Sequence, residues 1–538
     1  MFSRSLILFY LCILSVLDAF AQTATMAVQW KEWEYVLTSE QEPDSAGFRL
    51  KKVEVEFQGP GGRHFTNPAF TDDGIHYTIR AAFPSAGSWR WKSDASIHSD
   101  DGLHHVKGSV EVAVYMGTNP FYIRGDLRVS ENRRFLEHDD GTPFLWIGDT
   151  GWNIIRKASL AEWKEYVDTR AEQGFNVIQV NPRGTGNKAS SAESPDISFT
   201  TDGRNDTVFW NDLENKIRYA NEKGIIIMLA GTGTAWKNSM AQNERNQDFI
   251  SYICGRLAGL MVIFSPGYEQ VFTDESDKLT AAINKKTNHL ITQYTINTQE
   301  ANLTFRQTTS VDFTGLNAGS QDTENKNSYY SVRQWTFDLF AGNSVKPVIT
   351  LRSVYDAYGN DDAKSFRGKD ARKTGWIAFL SGSKGYTYGA GELPPAVAGG
   401  RGGVWAFNTD SSSYDYWRKA IRWESAGQMK HLSDFLKNTS WWDLLPAQDI
   451  IRNQETVDTI QMVASRTEDS RIIAAYMPSN PRIVINMSNF LGIYRYIWFD
   501  PRTGQTTQPE KIYAGMPNQL FTKPEGWDDA AILIYRND

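Results

Sequence analysis

Val262-Ile-Phe-Ser-Pro-Gly-Tyr-Glu269, near the middle of the chain, is a short apolar run that stops at Ser-Pro-Gly and then presents a carboxylate. A short apolar run bounded by turn residues predicts a buried strand. The pattern therefore predicts that a rigid element holds Glu269 at the mouth of a cleft. The number of similar apolar runs in the central region indicates its fold.

Eight such runs are predicted as buried strands and alternate with amphipathic helices. The predicted strands are 144–148, 176–180, 224–229, 261–265, 290–293, 310–313, 347–351 and 385–388, and the helices are 160–173, 211–223, 247–258, 273–285, 329–341 and 369–381. This repeat is typical of an α/β fold of the (β/α)8 TIM barrel class. An open doubly wound sheet is the alternative, but no Gly-x-Gly-x-x-Gly follows the first strand.

The two flanks of the chain show strand-like alternation with a period of two residues. The first flank predicts strands at 53–57, 77–81, 88–91 and 110–114, and the second at 459–464, 472–476, 483–485, 494–499 and 531–535. Short alternating strands separated by turns are typical of β-sandwiches. We therefore predict an N-terminal β-sandwich over 22–116, a barrel over 117–446 and a C-terminal β-sandwich over 447–538.

The first 21 residues have the features of a signal peptide. Arg4 supplies a positive charge, 6–17 is an apolar run too short to span a bilayer, and Ala19-Phe20-Ala21 fits a cleavage site. We expect cleavage after Ala21 and a periplasmic or secreted protein. Cys254 would be the only remaining cysteine, so no internal disulfide is expected. No later run predicts a membrane span.

Composition narrows the classes of ligand. A formal net charge of −7 over 538 residues gives no basic footprint for nucleic acid or anionic lipid. Aromatic residues make up 13% of the chain, with 18 tryptophans. Most of these tryptophans are expected to fill sheet interfaces, whereas some could stack on sugar rings, because indole is a flat amphipathic platform.

Barrel enzymes carry their chemistry at the carboxyl ends of the strands. The candidate acids expected there are Glu269 and Asp356, with Asp149, Asp312 and Glu392 as alternatives, and the candidate substrate-binding residues are Trp152, Asn181, Arg183, Trp236, Tyr268, Arg352, Tyr355 and Tyr388. Hydrolysis of a glycosidic bond needs two carboxyl groups with different roles. The acids at these ends are numerous enough to supply such a pair.

Other catalytic chemistries have less support in the sequence. No His-Glu-x-x-His or Cys-x-x-Cys spacing occurs, and His104 and His105 are more typical of a loop or edge than of a metal site. No Gly-x-Ser-x-Gly elbow is present, and Cys254 lies in a helix pattern without a histidine neighbour. We therefore predict no metal and no cofactor.

Several motifs resemble one family of glycoside hydrolases. Tyr77-Thr-Ile-Arg80 and Gly87-Ser-Trp-Arg-Trp91 resemble an N-terminal sandwich of the DUF5060 type. Gly141-Thr-Pro-Phe-Leu-Trp-Ile-Gly-Asp-Thr-Gly-Trp152, Gly174-Phe-Asn-Val-Ile-Gln-Val180 and Gly385-Tyr-Thr-Tyr-Gly389 resemble the apiosidase-like barrel (DUF4038, glycoside hydrolase family 140 and relatives). Trp441-Trp442-Asp-Leu-Leu-Pro446 and Asp500-Pro-Arg-Thr-Gly504 are similar to the junction and the collagen-binding-type sandwich of that family. The resemblance implies a glycosidase built as sandwich, barrel and sandwich.

The chain departs from that family where the resemblance places the catalytic carboxylates. Tyr268 stands where relatives have an aspartate after the fourth strand, and Arg352 stands where they have a glutamate at the seventh. Glu269 and Asp356 could have taken over the two roles, because a shift of one to a few residues at a strand end still reaches a common cleft. Alternatively Asp149, Asp312 or Glu392 supplies one carboxylate, or the barrel binds glycan without cleaving it.

Each candidate also has a structural interpretation. Asp149 could cap the following helix, Glu392 could be a solvated loop acid, and Asp356 could be a turn residue. Arg352 could recognise an anionic sugar substituent with its fork of donors. It could equally form a salt bridge to Asp356 or Glu269, which would make that acid a poorer proton donor.

The sequence thus predicts an exported glycoside hydrolase that acts on a plant or algal polysaccharide or oligosaccharide, including substrates with an anionic substituent. The alternative is a non-hydrolytic carbohydrate-binding protein on a degenerate barrel. Two carboxyl groups that face one open pocket would favour the enzyme. An Arg352 bridge that neutralises the only acid would favour the binding protein.

Overall fold

A computed structural model of the chain describes residues 25–42, 51–182, 206–231, 244–304, 308–319, 328–342, 345–357, 366–391, 404 and 416–536. The predicted signal peptide, 1–21, lies outside these residues. The chain divides into two compact units. One comprises Met1–Thr118 with Asp248–Gly259, and the other comprises Asn119–Gln247 with Leu260–Asp538.

The first unit contains two β-sheets. The strands are Thr25–Val28, Glu32–Thr38, Val53–Gln58, His64–Pro68, Phe70–Thr71, His76–Ala82, Gly87–Ala95 and Lys107–Ala113. The first, eighth, seventh, third and fourth of these form one sheet, and the second, sixth and fifth form the other. Buried side chains from both sheets, including Phe57, Trp89 and Tyr77, share one core. Every second residue of Gly87–Ala95 is buried from Trp89 onward, as the sequence alternation predicts.

The second unit is built around a parallel sheet. Its strands are Trp146–Thr150, Val177–Val180, Ile226–Ala230, Val262–Ser265, Thr314–Asn317, Val348–Arg352 and Gly385–Tyr388. If the eight predicted strands are numbered along the chain, the order of the observed strands across the sheet is 4-3-2-1-8-7-6. All neighbouring strands are parallel. Nearly every residue of these strands is buried, which is expected when both faces of a parallel sheet are covered.

The fifth and sixth strands differ from the prediction. In the fifth region, Phe264 N–H donates to Leu290 O at 2.9 Å and Thr292 N–H donates to Phe264 O at 2.9 Å, but the regular strand is Tyr294–Thr295. The sixth strand is Thr314–Asn317, so the prediction of 310–313 was wrong by four residues. Its sequence, Thr-Gly-Leu-Asn, has one large apolar side chain, whereas the predicted segment, Ser-Val-Asp-Phe, alternates polar and apolar residues as a strand does.

Helices follow most of the parallel strands. They are Ile154–Lys157, Leu160–Glu172, Thr207–Glu222, Glu244–Leu257, Asp274–Asn284, Gln299–Thr304, Ser328–Ala341, Gly368–Leu380, Tyr416–Ala420 and Glu424–Lys437, with a short helix Pro120–Arg124 and a hairpin of Leu127–Val129 and Leu136–His138 before the sheet. Leu160–Glu172 begins with a capping box in which Ser159 and Glu162 satisfy each other's backbone N–H groups. None of the described helices has the length and apolar character that crossing a bilayer requires.

The C-terminal part of the second unit consists of antiparallel strands. Leu445–Pro446, Val463–Arg466, Ile472–Met477, Ala530–Tyr535, Ile493–Phe499 and Glu510–Tyr513 form one sheet in that order, and Arg482–Ile485 pairs with Gln519–Thr522 in a second sheet. The two sheets share a core that includes Ile473, Ile483, Phe521 and Ile532. Short 3-10 turns, Trp441–Asp443, Gln448–Ile450 and Asp458–Ile460, lie at or near the start of this region.

Side chains of helix Gly368–Leu380 join the parallel sheet region to the C-terminal sheets. The Trp376 ring stacks on Tyr476 with ring centroids 5.4 Å apart. Arg372 donates to both carboxylate oxygens of Asp529 at 3.0 Å, and the Tyr476 hydroxyl donates to the same carboxylate at 2.6 Å. These residues are all buried, so apolar packing and a satisfied ion pair hold the two regions together.

Lys384, just before the eighth parallel strand, should make stability depend on pH. The amine is buried and donates to Trp441 O at 3.1 Å and Leu444 O at 2.7 Å, and burial lowers its pKa to about 7. Between about pH 7 and 10.5 the folded state holds the neutral amine while the unfolded state binds a proton, so stability rises with pH. We expect this one group to add about 2 kcal/mol to the free energy of unfolding between pH 7 and 9.

The measurement is urea unfolding of the wild type and of Lys384→Met at both pH values. The variant should lose that part of the pH dependence, whereas Lys430→Met, at an exposed position that pairs with Asp434, should keep it. Identical pH dependence in the wild type and Lys384→Met would show that Lys384 is charged in the folded protein.

Candidate functional site

The segment after the fourth parallel strand holds Glu269 in an unusual backbone conformation. Tyr268–Gln270 forms a short strand that pairs in parallel with Tyr294–Thr295, and the register shifts between Tyr268 and Gln270. Glu269 lies at this irregularity with φ of 45°, in the left-handed region. A bulge re-aims a side chain, and such backbone strain is often found at functional sites.

Neighbouring hydrogen bonds fix the turn that precedes Glu269. Ser265 Oγ donates to Gly267 O at 2.9 Å, and Gly267 N–H donates to Gln293 Oε1 at 2.7 Å. A Cβ atom at Gly267 would lie 2.4 Å from that same Gln293 oxygen, so a larger residue there would displace the Gln293 amide. The Ser-Pro-Gly signal in the sequence therefore marks a turn with a defined geometry.

Arg352, the last residue of the seventh strand, forms an ion pair with Glu269 through its Nη1 and the glutamate Oε1. The Arg352 side chain is 10% exposed and the Glu269 side chain is 37% exposed. The guanidinium also lies over the Tyr355 ring, 5.0 Å from its centroid. The structure thus shows the salt bridge that was one of the two interpretations of Arg352.

Aromatic side chains from four strand ends form a cluster beside this ion pair. The Trp152 ring meets Tyr268 and Tyr294 edge-on, with centroids 5.0 and 4.8 Å away, and Tyr268 stacks on Tyr294 at 5.6 Å. Trp152, Tyr294 and Tyr355 are buried, whereas Tyr268 is half-buried. We call Trp152, Tyr268, Tyr294, Tyr355, Arg352 and Glu269 the strand-end cluster.

Tyr294 is the member of this cluster that the sequence interpretation missed. Its hydroxyl is buried and has no hydrogen-bond partner among the residues that the structure describes, and burial raises its pKa well above the ordinary value. A buried unpaired polar group is uncommon and is often found at a ligand site. Tyr294 directly follows the predicted strand 290–293, so inspection of the first residue after each strand would have found it.

Asp356 directly follows Tyr355 but forms its hydrogen bonds with residues outside the strand-end cluster. Its backbone N–H donates to Gly389 O at 2.9 Å, and its carboxylate accepts hydrogen bonds from Ser425 and, at 3.5 Å, from the Tyr388 hydroxyl. Burial raises the pKa of Asp356 above its usual value, and the bonds from Ser425 and Tyr388 only partly oppose this. Asp356 therefore keeps its proton to higher pH than an exposed aspartate does.

Asp356 lines a polar cavity of about 580 Å³ in the second unit. The other lining residues are Ala357, Arg367, Gly368, Lys369, Arg372, Tyr416, Trp423, Glu424, Ser425, Gln428, Arg502 and Asp528. Four are basic and, with Asp356, three are acidic. Within the part of the chain that the structure describes, Glu269 does not line this cavity, so the two predicted carboxylates are not seen to share one pocket.

Asp149 is an interior residue of the parallel sheet region. It lies within the first strand and is fully buried, and its Oδ2 accepts from Arg170 Nε at 2.7 Å and the Tyr166 hydroxyl at 2.6 Å. The alternative interpretation of Asp149 as a helix cap is therefore wrong, and the residue lies within the first strand rather than after it. Its carboxylate instead neutralises a buried arginine of helix Leu160–Glu172.

Asp312 lies at the opposite end of the sheet from the strand-end cluster. It precedes the sixth strand, and its carboxylate accepts from the Ile291 N–H at 2.7 Å. Barrel enzymes carry their chemistry at the carboxyl ends of the strands, so this position argues against the interpretation of Asp312 as an alternative catalytic acid. Burial raises the pKa of Asp312 as well.

The remaining predicted residues divide into two groups. Asn181 is buried after the second strand, where its backbone N–H donates to Trp152 O at 2.8 Å, and Tyr388 is buried beside Asp356 and Ser425. Arg183, Trp236 and Glu392 lie outside the described residues. They stay predictions.

Family models match most of the chain. The model described as "Apiosidase-like, catalytic domain" matches residues 130–443, and the model described as "Putative collagen-binding domain of a collagenase" matches residues 445–535. The first match alone spans more than half of the 538 residues. No curated protein sequence matches the chain.

Solved structures of glycoside hydrolases have a similar fold. One described as "Glycoside hydrolase" is 21% identical with a TM-score of 0.65 and covers 78% of this chain and 99% of its own. A family 5 glycoside hydrolase of Bacteroides vulgatus is 20% identical, with a TM-score of 0.66, and covers 78% of this chain and 95% of its own. A "putative glycoside hydrolase" of the same organism is 16% identical, with a TM-score of 0.68, and covers 95% of this chain and 100% of its own.

Proposed function

This chain belongs to the apiosidase-like family, and from that premise we propose that it is an exported glycoside hydrolase acting on a plant or algal polysaccharide or oligosaccharide. The strand-end cluster is the observation that carries the proposal. Residues that follow or end the first, fourth, fifth and seventh strands of the series converge there and bring together aromatic rings, a guanidinium and a carboxylate. Aromatic rings beside a few polar groups are the usual composition of a sugar site.

The same proposal includes a complete (β/α)8 barrel. The segment around 290–295 supplies the missing fifth strand between the fourth and sixth. Its hydrogen bonds to Phe264 on one side, and Asp312 N–H donating to Ile291 O at 2.9 Å on the other, support this closure. A closed barrel would direct the ends of all eight strands to one mouth.

The two predicted carboxylates would have different roles. Glu269, which lies at a strand end and pairs with the Arg352 guanidinium, takes the role of nucleophile or base in this proposal. Asp356 suits the role of proton donor, since its raised pKa keeps it protonated to higher pH. If Asp356 is the acid, hydrolysis should fall as pH rises through its pKa. Asp356→Asn, which holds no such proton, should remove most of the activity.

The polar cavity beside Asp356 supports a substrate with an anionic substituent. Arg367 and Lys369 lie at the start of helix Gly368–Leu380, and Arg502 approaches from the C-terminal sheets. Guanidinium and ammonium groups are the usual recognition elements for carboxylate or sulfate. We infer that a charged sugar unit next to the cleaved bond occupies this cavity.

A second candidate function is carbohydrate binding without hydrolysis. Two observations favour it. Arg352 is already paired with Glu269, and the Asp356 carboxylate is engaged by Ser425 and lines a cavity that does not include Glu269 among its described walls. A degenerate barrel of this kind would keep the aromatic rings of the strand-end cluster and lose the pair of catalytic carboxylates.

One experiment separates the two functions. The wild type is incubated with a panel of pectic and algal oligosaccharides, and both sugar release and binding by calorimetry are measured. Release of sugar that falls in Glu269→Gln and Asp356→Asn supports the hydrolase. Binding without release supports the second candidate, and release that is undiminished in both variants contradicts our assignment of the carboxylates.

Either function predicts a role for the half-buried ring of Tyr268. Tyr268→Ala should weaken binding of the oligosaccharide roughly tenfold, because it removes the part of the aromatic cluster that solvent reaches. Tyr513→Ala is the matched control, since that ring is 75% exposed on the C-terminal sheets. Equal affinity of the wild type and Tyr268→Ala would place the sugar elsewhere.

A further inference from the structure

We propose that the hairpin between strands Gly87–Ala95 and Lys107–Ala113 binds a divalent transition-metal ion. Asp94, His98 and His104 each offer one ligand atom there, and these atoms lie within 4.8 Å of one another. Ligands around one zinc ion are roughly 2 Å from the metal and therefore about 3–4 Å apart. Asp94 and His98 are exposed, so small side-chain rotations close the remaining distance.

The hairpin is held rigidly behind these ligands. Asp100, at its tip, is fully buried and accepts from Lys51 Nζ at 2.8 Å, Ser39 Oγ at 2.6 Å and Glu40 N–H at 3.0 Å. His104 N–H in turn donates to the Asp100 carbonyl at 2.8 Å. These bonds tie the tip of the hairpin to the sandwich. The backbone that carries His98 and His104, on either side of Asp100, is therefore held in place without a metal ion.

The imidazoles are already gathered around one point. The His104 ring stacks against His98 with centroids 4.5 Å apart and against His105 at 3.7 Å. Asp94 Oδ1 and the Ala95 N–H both lie 3.2 Å from His104 Nδ1, which fixes the plane of that ring. His105 adopts a φ of 60°, which is uncommon for a residue other than glycine, and in this conformation its ring stacks on that of His104.

The ligand set selects the class of ion. Two imidazole nitrogens and one carboxylate suit zinc, copper, nickel or cobalt, whereas calcium and magnesium prefer oxygen ligands. The exposed side of the site leaves room for water to complete the coordination. An ion bound there would stabilise the sandwich, because the unfolded chain does not hold the three ligands together.

The test is titration of the untagged full-length protein, stripped with a chelator, with zinc chloride in a calorimeter. We expect one ion per chain, and at least a tenfold loss of affinity in the double variant His98→Ala/His104→Ala. His64→Ala, an exposed histidine of the same sandwich, is the matched control and should bind as the wild type does. Absence of zinc binding, or equal binding by the double variant, would overturn the proposal and leave an ordinary contact between His104 and Asp94.

A spectroscopic measurement keeps the proposal testable if the double variant folds poorly. His98→Ala alone changes only an exposed side chain. The electron paramagnetic resonance spectrum of bound Cu²⁺ should show coupling to two imidazole nitrogens in the wild type and to one in His98→Ala. Identical spectra would contradict the assignment. Neither result depends on sugar hydrolysis, so failure here is distinguishable from failure of the proposed function.

Discussion

Glu269→Gln should lower the rate of sugar release by at least about 100-fold, because general acid–base or nucleophilic participation of a side chain contributes about 10²–10⁴-fold to a rate. The substitution keeps the shape of the side chain and removes its charge. The amide can still accept a hydrogen bond from Arg352, so the strand-end cluster should stay assembled. We therefore expect the affinity for the oligosaccharide to change far less than the rate.

The measurements are initial rates of reducing-sugar release and calorimetric affinity on the same preparation. Glu468→Gln, an exposed glutamate of the C-terminal region, is the matched control and should hydrolyse as the wild type does. A Glu269→Gln protein with full activity would remove Glu269 from the chemistry. Loss of both rate and binding would instead indicate that the ion pair with Arg352 mainly builds the site.

Asp529→Asn should lower the free energy of unfolding by roughly 3–5 kcal/mol, the usual cost of leaving one partner of a buried ion pair uncompensated. Asp529 is fully buried and accepts two hydrogen bonds from Arg372 at 3.0 Å and one from Tyr476 at 2.6 Å. The asparagine amide cannot accept both guanidinium bonds. The Arg372 charge would then lie in the interface without an anion.

The neighbouring residue provides a matched control for this effect. Asp528 is 76% exposed and approaches Arg502 at 3.2 Å, so Asp528→Asn should cost less than about 1 kcal/mol. Urea unfolding gives the free energies, and limited proteolysis shows whether the region after Pro446 becomes separable. Equal stability of the two variants would show that the packing of Trp376 on Tyr476 carries this junction alone.

The sequence located many of the elements of the second unit closely. The eighth strand was predicted over 385–388 and is observed as Gly385–Tyr388, and the helix predicted over 160–173 is observed as Leu160–Glu172. The sixth strand could not be found in this way. Its polar residues are satisfied by distant partners, such as Asn317 Nδ2 donating to Thr295 O at 2.7 Å and Asn302 Oδ1 accepting from Asn317 N–H at 3.0 Å. Hydrogen bonds between residues so far apart in the chain leave no periodic pattern in the local sequence.

The sequence by itself determined that Glu269 follows a buried strand, and the family resemblance led us to expect Tyr268 and Arg352 where relatives have carboxylates. Only the tertiary structure decided which groups face each other. It pairs Arg352 with Glu269, which is 83 residues away in sequence, joins Asp356 to Ser425 and Asp149 to Arg170, and gathers His98 and His104 beside Asp94. Strands and helices follow from local patterns of burial, whereas the partner of a charged side chain depends on packing between segments that are distant in the chain.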